Sequence, residues 1–426
     1  MKYFGTDGIR GKIGEKLSTK TLNKVAKAII LYYKQRTKKV LLVGNDSRLT
    51  SDYILMILGS KLLKNGIEIH NVGLCSSPCL AYLTQKFNYP LGLMLSASHN
   101  PAEYNGLKFF NSNGEKVTDY FEENFETLMD KKVSLKNNCF SCLKNAEGLK
   151  QNYINHLKSH KKFDFPIILD CANGGTSEIV KEVFPKCEKI NIKPDGKNIN
   201  QNSGCTHIET LKSLCVKKQK IGFAFDGDGD RIHIVDIDGT ILNGDKILCI
   251  LSKVFQQSND ICIGTIYTNT ALEKLLKERN VALKRSAVGD KNVYALMNET
   301  KSNLGGEDSG HIILKPFMNT GDGMLIAILV GNILSICKTT LKELLSSYNE
   351  HHQFRENIKI DSSINVNSLM SNPALLLFMK QHENLGAKII IRPSGTEPVI
   401  RLFVEHENKE IANNTIKELH DLILKI

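Results

Sequence analysis

KKVLLVGNDSR, residues Lys38 to Arg48, runs from an apolar core into a polar loop of Gly, Asn and Asp. SDYILMILGSKLLKNG, Ser51 to Gly66, then reads as a helix that stops at glycine, and EIHNVGL, Glu68 to Leu74, returns as a second strand. FPIILDCANGG (Phe165 to Gly175) and IGFAFDGDGDR (Ile221 to Arg231) repeat the form of a short buried strand stopping at aspartate. Strands alternating with helices predict parallel sheets covered by helical layers. In such sheets ligands gather at the carboxyl ends of the strands. Ser98, Asp46, Asp170 and Asp226 all stand at such ends. The chain's last part differs: IIIRPSGTEPVIRLFVE (Ile389 to Glu405) has strand–turn–strand form, and KEIANNTIKELHDLILKI (Lys409 to Ile426) is helical. That ending is α+β.

LMLSASHNPAEYNGLKFF, Leu93 to Phe110, ends an apolar run in Ser96-Ala97-Ser98, followed by His99, Asn100 and Pro101. Ser, Asn and Pro are turn residues, so a plain turn is one reading. The other is a nucleophile held at a strand end, with His99 and Lys108 as proton carriers; His99 as a backbone-bonded loop histidine and Lys108 as a surface lysine are the competing readings.

AFDGDGDRIHIVD, Ala224 to Asp236, bears on that choice. Asp226, Asp228 and Asp230 alternate with glycines, and three carboxylates on backbone without bulk can wrap one hard cation. An oxygen-only ligand set favours Mg²⁺ or Ca²⁺ over Zn²⁺. An EF-hand counted from Asp226 fails, because Arg231 falls where glycine is needed and Ile237 where the bidentate glutamate belongs. A hairpin turn needs one Asp-Gly, not three aspartates in alternation. A cation facing a strand-end serine suggests phosphoryl chemistry at Ser98.

Three further segments carry weaker signals. GGEDSGHI, Gly305 to Ile312, puts Glu307, Ser309 and His311 on alternate positions; extended backbone would turn them to one face, a row suited to sugar hydroxyls, with a polar turn as the alternative. RPSGTEPVIR, Arg392 to Arg401, can cradle a phosphate with backbone N–H groups, Ser394, Thr396 and Arg392, or can be an ordinary turn. It is not a Walker loop. TGDGM, Thr320 to Met324, reads as a helix start capped near Asp322, and DIDGT, Asp236 to Thr240, as a turn.

The chain has 426 residues, 41% of them apolar, and a net charge of +11. It can bury real cores and shows no apolar run long enough for a membrane span. MKYFGTDGIRG at its start lacks the apolar segment of a secretory signal. The eleven cysteines lack metal spacing, Cys139 and Cys142 forming the sole CxxC. Reduced thiols in a cytoplasmic protein are therefore expected. The positive charge suits an anionic partner, nucleic acid or a phosphorylated small molecule. Arginine is the residue for two-pronged phosphate recognition, and Arg10, Arg231, Arg392 and Arg401 lie in or beside Gly-rich segments.

Taken in order, GTDGIRG, SASHNP, DGDGDR, GGEDSGH and RPSGTEP resemble the α-D-phosphohexomutase superfamily across the whole chain, with Tyr3-Phe4 before the first motif pointing to the branch acting on glucosamine phosphates. The resemblance implies three related α/β domains with mixed sheets plus a smaller C-terminal α+β domain around a central cleft. Polar breaks place these at 1–150, 151–245, 246–355 and 356–426. It implies that Ser98 is phosphorylated and that Asp226, Asp228 and Asp230 bind one Mg²⁺ per chain, with Ser98 completing the site. Lys108, His99 and Arg10 would surround the transferred phosphoryl group, and Arg231 ends the metal loop. Glu307 and Ser309 would contact the sugar, with His311 beside them. Arg392, Ser394, Gly395 and Thr396 would dock the phosphate that does not react.

The activity implied is interconversion of glucosamine 6-phosphate and glucosamine 1-phosphate through glucosamine 1,6-bisphosphate, which also serves as activator, feeding UDP-N-acetylglucosamine and cell-wall synthesis. The partner is then a phosphosugar, with no nucleic acid or membrane, and a homodimer is the candidate assembly. The chain departs from the family pattern at Lys291 and Asn292 (often Arg-Tyr), Cys79 (usually Gly), Asp308 (commonly Gln) and in NSGCTH, where the cysteine is shifted. Two rivals stand: a phosphohexomutase for glucose or mannose phosphates, and a non-catalytic metal-dependent nucleic-acid binder. The second would interleave basic patches with exposed aromatics, whereas aromatics are 7% and tryptophan is absent.

Overall fold

The computed structural model describes residues 1–133, 139–359, 369–393 and 399–425. The chain forms two compact units, Met1–Thr268 with Leu276–Ser346, and Asn269–Leu275 with Ser347–Ile426. The larger unit is built on three mixed sheets, the smaller on one antiparallel sheet.

The first sheet has the strand order Ile9–Lys12, Tyr104–Asn111, Leu91–Leu95, Val40–Asn45, Glu68–Leu74, Leu143–Asn145. Its centre is parallel, as the βαβ reading requires: Leu91–Leu95, Val40–Asn45 and Glu68–Leu74 run together. The connecting helix spans Thr50–Lys64 and closes at Gly66, whose φ of +75° is one that glycine tolerates. The strands carrying Lys108 and Arg10 are antiparallel additions. The second sheet, Ile241–Leu242, Ile232–Val235, Gly222–Phe225, Ile168–Asp170, Glu188–Ile190, and the third, Ala282–Ser286, Ile261–Thr265, Leu304–Gly306, Ile312–Leu314, likewise have a parallel core and antiparallel additions. The alternation of strand and helix thus predicts the parallel cores but not these additions. Most of them arise where a strand returns through a loop instead of a helix; Ile9–Lys12 instead joins the edge strand from far along the chain.

The smaller unit pairs His352–Lys359 and Lys388–Pro393 on either side of Val399–His406, all antiparallel. Helix Lys409–Lys425 supplies Ala412, Ile416, Leu419 and Ile423 to its core. This is the α+β ending expected.

Among the described residues, no helix is long and apolar enough to cross a membrane. The most apolar one, Gly323–Cys337, is a core helix buried from Gly323 through Leu334. Asp322 caps it, accepting from the Leu325 N–H at 3.0 Å.

Gly106 shows how tightly the serine segment is seated. It pairs with Arg10, and a Cβ there would lie 2.3 Å from the Ser96 carbonyl oxygen and 3.0 Å from Arg10 Cγ. Gly106→Ala is expected to lower the apparent melting temperature, at a cost of about 1–3 kcal/mol. It should also depress turnover, because relief requires moving the segment that leads to Ser98. Thermal unfolding and steady-state rates on the purified variant check this; a wild-type melting curve would contradict it.

Candidate active site

Ser98 sits three residues past strand Leu91–Leu95 in a left-handed conformation, φ +52°, and is 1% exposed. A non-glycine residue holds that conformation only where its surroundings impose it. Arg48, itself buried, donates to the carbonyls of Ser98 at 3.0 Å, Asn100 at 2.7 Å and Tyr104 at 2.8 Å. Asn200 donates to the Ser98 carbonyl at 2.8 Å, and Ser96 Oγ accepts the Ser98 N–H at 2.9 Å. The backbone is clamped from three sides, which leaves the hydroxyl to face the aspartate loop.

That loop follows strand Gly222–Phe225. Ser98 Oγ donates to Asp226 Oδ2 at 2.5 Å. Gly227 lets the two segments meet, since a Cβ there would lie 2.6 Å from the Ser98 carbonyl oxygen. Asp226 Oδ1 accepts the Arg231 N–H at 3.1 Å. Asp228 Oδ2 takes Ser77 Oγ and Lys108 Nζ, the latter at 2.6 Å. Asp230 Oδ2 lies 3.2 Å from Lys108 Nζ. The other oxygens, Asp228 Oδ1 and Asp230 Oδ1, are buried without a hydrogen-bond partner. Ligand atoms of the three carboxylates fall within 4.8 Å of one another. Two buried acceptors left open, in an all-oxygen set with a serine hydroxyl, fit a hard divalent cation.

Burial pushes the Asp226 carboxyl well above the usual range, and the neighbouring Asp230 and Asp228 add to it. Burial opposes ionisation of Asp230 too, but Lys108, Lys116 and His311 overcome it and hold that carboxyl below its usual range. Burial would likewise neutralise Lys108; Asp228, Asp230 and Asp7, the last at 3.0 Å, keep it an ammonium. His99 Nδ1 is 3.3 Å from Ser98 Oγ. Its imidazole is pushed down to about 4 by burial, then by Arg231 and Arg10.

Arg10 is aimed by Asp7, which accepts Nε at its carbonyl at 3.1 Å and binds the guanidinium through its side chain. Arg231 is paired by backbone with His311, joining the aspartate loop to GGEDSGHI. The expected extended row there is replaced by a turn. Gly310 donates to the Glu307 carbonyl at 3.0 Å, Glu307 N–H to the His311 carbonyl at 3.1 Å, and Gly310 has φ +90°. Glycine at Gly310 outweighs the alternating pattern, because a Cβ would lie 2.2 Å from the Ile232 carbonyl oxygen. Glu307 is still buried beside the site, accepting the Gly289 N–H at 2.9 Å, and Ser309 Oγ is buried without a partner. Arg392 lies in strand Lys388–Pro393, opposite Arg401. Ser394, Gly395 and Thr396 lie outside the described residues.

Two strand-end aspartates have other work. Asp46 binds Arg48 and accepts from Ser96 Oγ at 2.6 Å. Asp170 accepts from the Ala172 and Gly204 N–H groups and from Asn191, each at 3.0 Å, tying a loop down. Sequence reading missed Arg48, Asp7, Lys116 and Asp290. Asp7 and Arg48 lay within quoted stretches, but Arg48, Lys116 and Asp290 gain their role only by meeting partners far along the chain. Of the departures, Lys291 forms ion pairs with Glu122 at 2.6 Å and Asp119 at 2.7 Å.

A strand-end serine clamped against three buried aspartates has the make-up of a phosphoryl-transfer class of site. The sequence matches phosphoglucomutase/phosphomannomutase α/β/α domain I at residues 1–136, domain II at 147–239, domain III at 243–351 and the C-terminal domain at 379–422. It is 35% identical to the phosphoglucosamine mutase of Finegoldia magna over 99% of this chain and 98% of that one. It is 36% identical to the phosphoglucosamine mutase of Halalkalibacterium halodurans over the same shares. The chain belongs to the phosphoglucomutase/phosphomannomutase family of the α-D-phosphohexomutase superfamily. Its fold matches a family protein of Burkholderia thailandensis with TM-score 0.80 at 20% identity, covering 99% of this chain and 96% of that one. It also matches Aspergillus fumigatus N-acetylphosphoglucosamine mutase, solved with GlcNAc-6P and magnesium, with TM-score 0.69 at 16% identity, covering 98% and 95%.

The His99 shift has a measurable sign. An unfolded histidine protonates near 6.5, whereas the native ring does so near 4. The stability it supports is intact above about 6.5 and falls as pH drops toward about 4. In a histidine-labelled sample the His99 ring resonance is expected to stay unchanged between pH 8 and about 5.5; a midpoint near 6.5 would contradict the burial and charge argument.

Proposed function

We propose that this chain interconverts glucosamine 6-phosphate and glucosamine 1-phosphate through a phosphorylated Ser98 and bound glucosamine 1,6-bisphosphate. The observation that carries the reading is the Ser98 hydroxyl on Asp226, in a loop with two open buried carboxylate oxygens. The preference for an amino sugar is supported by the relatives' names. Asp226, Asp228 and Asp230, with the Ser98 oxygen, would hold one Mg²⁺. When bound it would neutralise phosphate charge.

The chain's own residues then divide the work. The bond from Ser98 Oγ to phosphorus breaks as a bond from sugar O1 to phosphorus forms, and the O1 proton leaves. In the second half the O6–phosphorus bond breaks, Ser98 Oγ is phosphorylated again, and O6 regains a proton. Lys108, kept charged by three carboxylates, serves as the donor to a departing oxygen. His99 enters neutral and serves as an acceptor beside Ser98 Oγ. Arg10 and Arg231 steady the phosphoryl oxygens. Glu307, Ser309 and His311 contact the sugar, and Arg392 with Ser394, Gly395 and Thr396 docks the phosphate that does not react.

Ser98→Ala should abolish turnover while thermal unfolding stays near wild type. Rates on glucosamine, glucose and mannose phosphates, with bisphosphate at catalytic amounts, test both mechanism and sugar. Near-normal turnover of the alanine variant would exclude the phosphoserine route, and equal rates on all three sugars would favour a broader phosphohexomutase. Asp228→Asn removes one charge from the oxygen cage and should shift the Mg²⁺ titration of activity to higher concentration.

Arg392→Lys keeps the charge but loses the two-pronged geometry. Its kcat/KM should fall roughly ten- to a hundredfold, matching about 1.5–3 kcal/mol for one charge-assisted hydrogen bond, with Ser98 phosphorylation intact by mass. Wild-type kcat/KM would remove Arg392 from the site.

A further inference from the structure

Beside the aspartate loop a second charged group lines a pocket with His311. Lys116 follows strand Tyr104–Asn111, and only a tenth of its side chain is exposed. Its Nζ meets Asp290 Oδ2 in a direct ion pair, Asp7 Oδ1 at 2.9 Å and Asp230 Oδ2 at 3.6 Å. Asp290 begins helix Asp290–Thr300 and also lies 3.3 Å from His311 Nε2. Of the three loop aspartates, only Asp230 lies within ion-pair distance of Lys116 among the described residues.

Asp230 is therefore an unevenly loaded ligand. Its Oδ2 faces Lys108 at 3.2 Å, Lys116 at 3.6 Å and His311 at 3.8 Å, while its buried Oδ1 has no hydrogen-bond partner. Lys108 and Lys116 gather on one oxygen, with the His311 ring beside them, and leave Oδ1 open. A charge this close to a buried ligand acts through a low-dielectric interior, and salt screens it little.

We propose that the Lys116–Asp290 pair sets how tightly the aspartate loop binds a divalent cation; this rests on the metal reading above. Lys116 opposes the incoming ion, and Asp290 offsets Lys116. Both are positioning residues that act through Asp230. The arrangement keeps the loop from holding its ion so strongly that charge is no longer free to stabilise a phosphoryl group on Ser98.

The test is direct Mn²⁺ binding, followed by the electron paramagnetic resonance signal of free Mn²⁺ in purified protein without sugar. Lys116→Met should lower the dissociation constant at least about threefold, and Asp290→Asn should raise it by a similar factor. The double variant, which removes one charge of each sign, should return to within about twofold of wild type, and Lys116→Arg should stay near wild type. Lys116→Met leaves Asp7 and Asp290 short of a counter-charge and can fail to fold; Asp290→Asn and the double variant then decide the matter. Saturable wild-type binding with unchanged constants in the folded variants, or shifts of the opposite sign, overturns the proposal. Wild-type protein without saturable Mn²⁺ binding overturns the metal reading itself, and this inference with it.

Discussion

Three carboxylates buried within reach of one another are the constraint around which the larger unit is arranged. Left alone in a dry interior, such a group would protonate or unfold the loop that carries it. Asp226, whose carboxyl burial pushes well above its usual range, has both oxygens bonded, to Ser98 Oγ and the Arg231 N–H, whereas Asp228 and Asp230 divide theirs. One oxygen of Asp228 and one of Asp230 are held by groups of the protein, Ser77 and Lys108 on the first, Lys108 and Lys116 on the second. The remaining two are buried and unpaired. An orphaned acceptor is costly in a core, so two together on facing aspartates mark a place shaped for something other than protein.

Delivering that loop to Ser98 requires backbones that touch. The glycines between the aspartates serve this need as much as they serve flexibility. Gly227 admits the Ser98 carbonyl, and Gly229, with φ +71°, would drive a Cβ to 2.5 Å from Thr176 Cγ2. The same close approach recurs where the start of helix Gly323–Cys337 meets the aspartate loop: Gly321 lies against the Asp230 carbonyl and the His311 ring, and Gly323 against the Arg231 carbonyl. Site segments from separate sheets are thus fixed to each other by main-chain contact, which relaxes far less than side-chain packing.

Much of this was legible in the sequence because it is local. The Asp226-Gly-Asp228-Gly-Asp230 alternation puts three carboxylates within one short loop, and a buried strand ending in Ser-Ala-Ser needs no partner to be noticed. Lys108 could be named because the antiparallel return from Ser98 is short. What escaped has a common cause. Arg48 matters because it gathers the carbonyls of Ser98, Asn100 and Tyr104, and Lys116 because Asp7, Asp230 and Asp290 converge on it. Neither residue is unusual among its sequence neighbours. Period misled at Glu307, Ser309 and His311, where alternation suggested a strand and Gly310 made a turn. A single glycine with positive φ, packed on the Ile232 carbonyl, outranks a two-residue period over so short a segment.

The division of oxygens also bears on why a serine, and not a carboxylate or histidine, stands at this strand end. A hydroxyl adds no charge to a group already holding three aspartates, so the resting site can keep Asp226 close, at 2.5 Å from Oγ. A phosphoryl group on the same oxygen brings close to two negative charges into that space. Only added positive charge makes that tolerable, and Lys108 is already committed to Asp228 and Asp230. Cation binding and phosphorylation of Ser98 must then favour each other, because each removes the main electrostatic obstacle to the other, and linkage makes the coupling equal in both directions. A carboxylate in place of Ser98 would add a fourth negative charge to the resting site, so Asp226 could not be held as close as it is to the neutral hydroxyl.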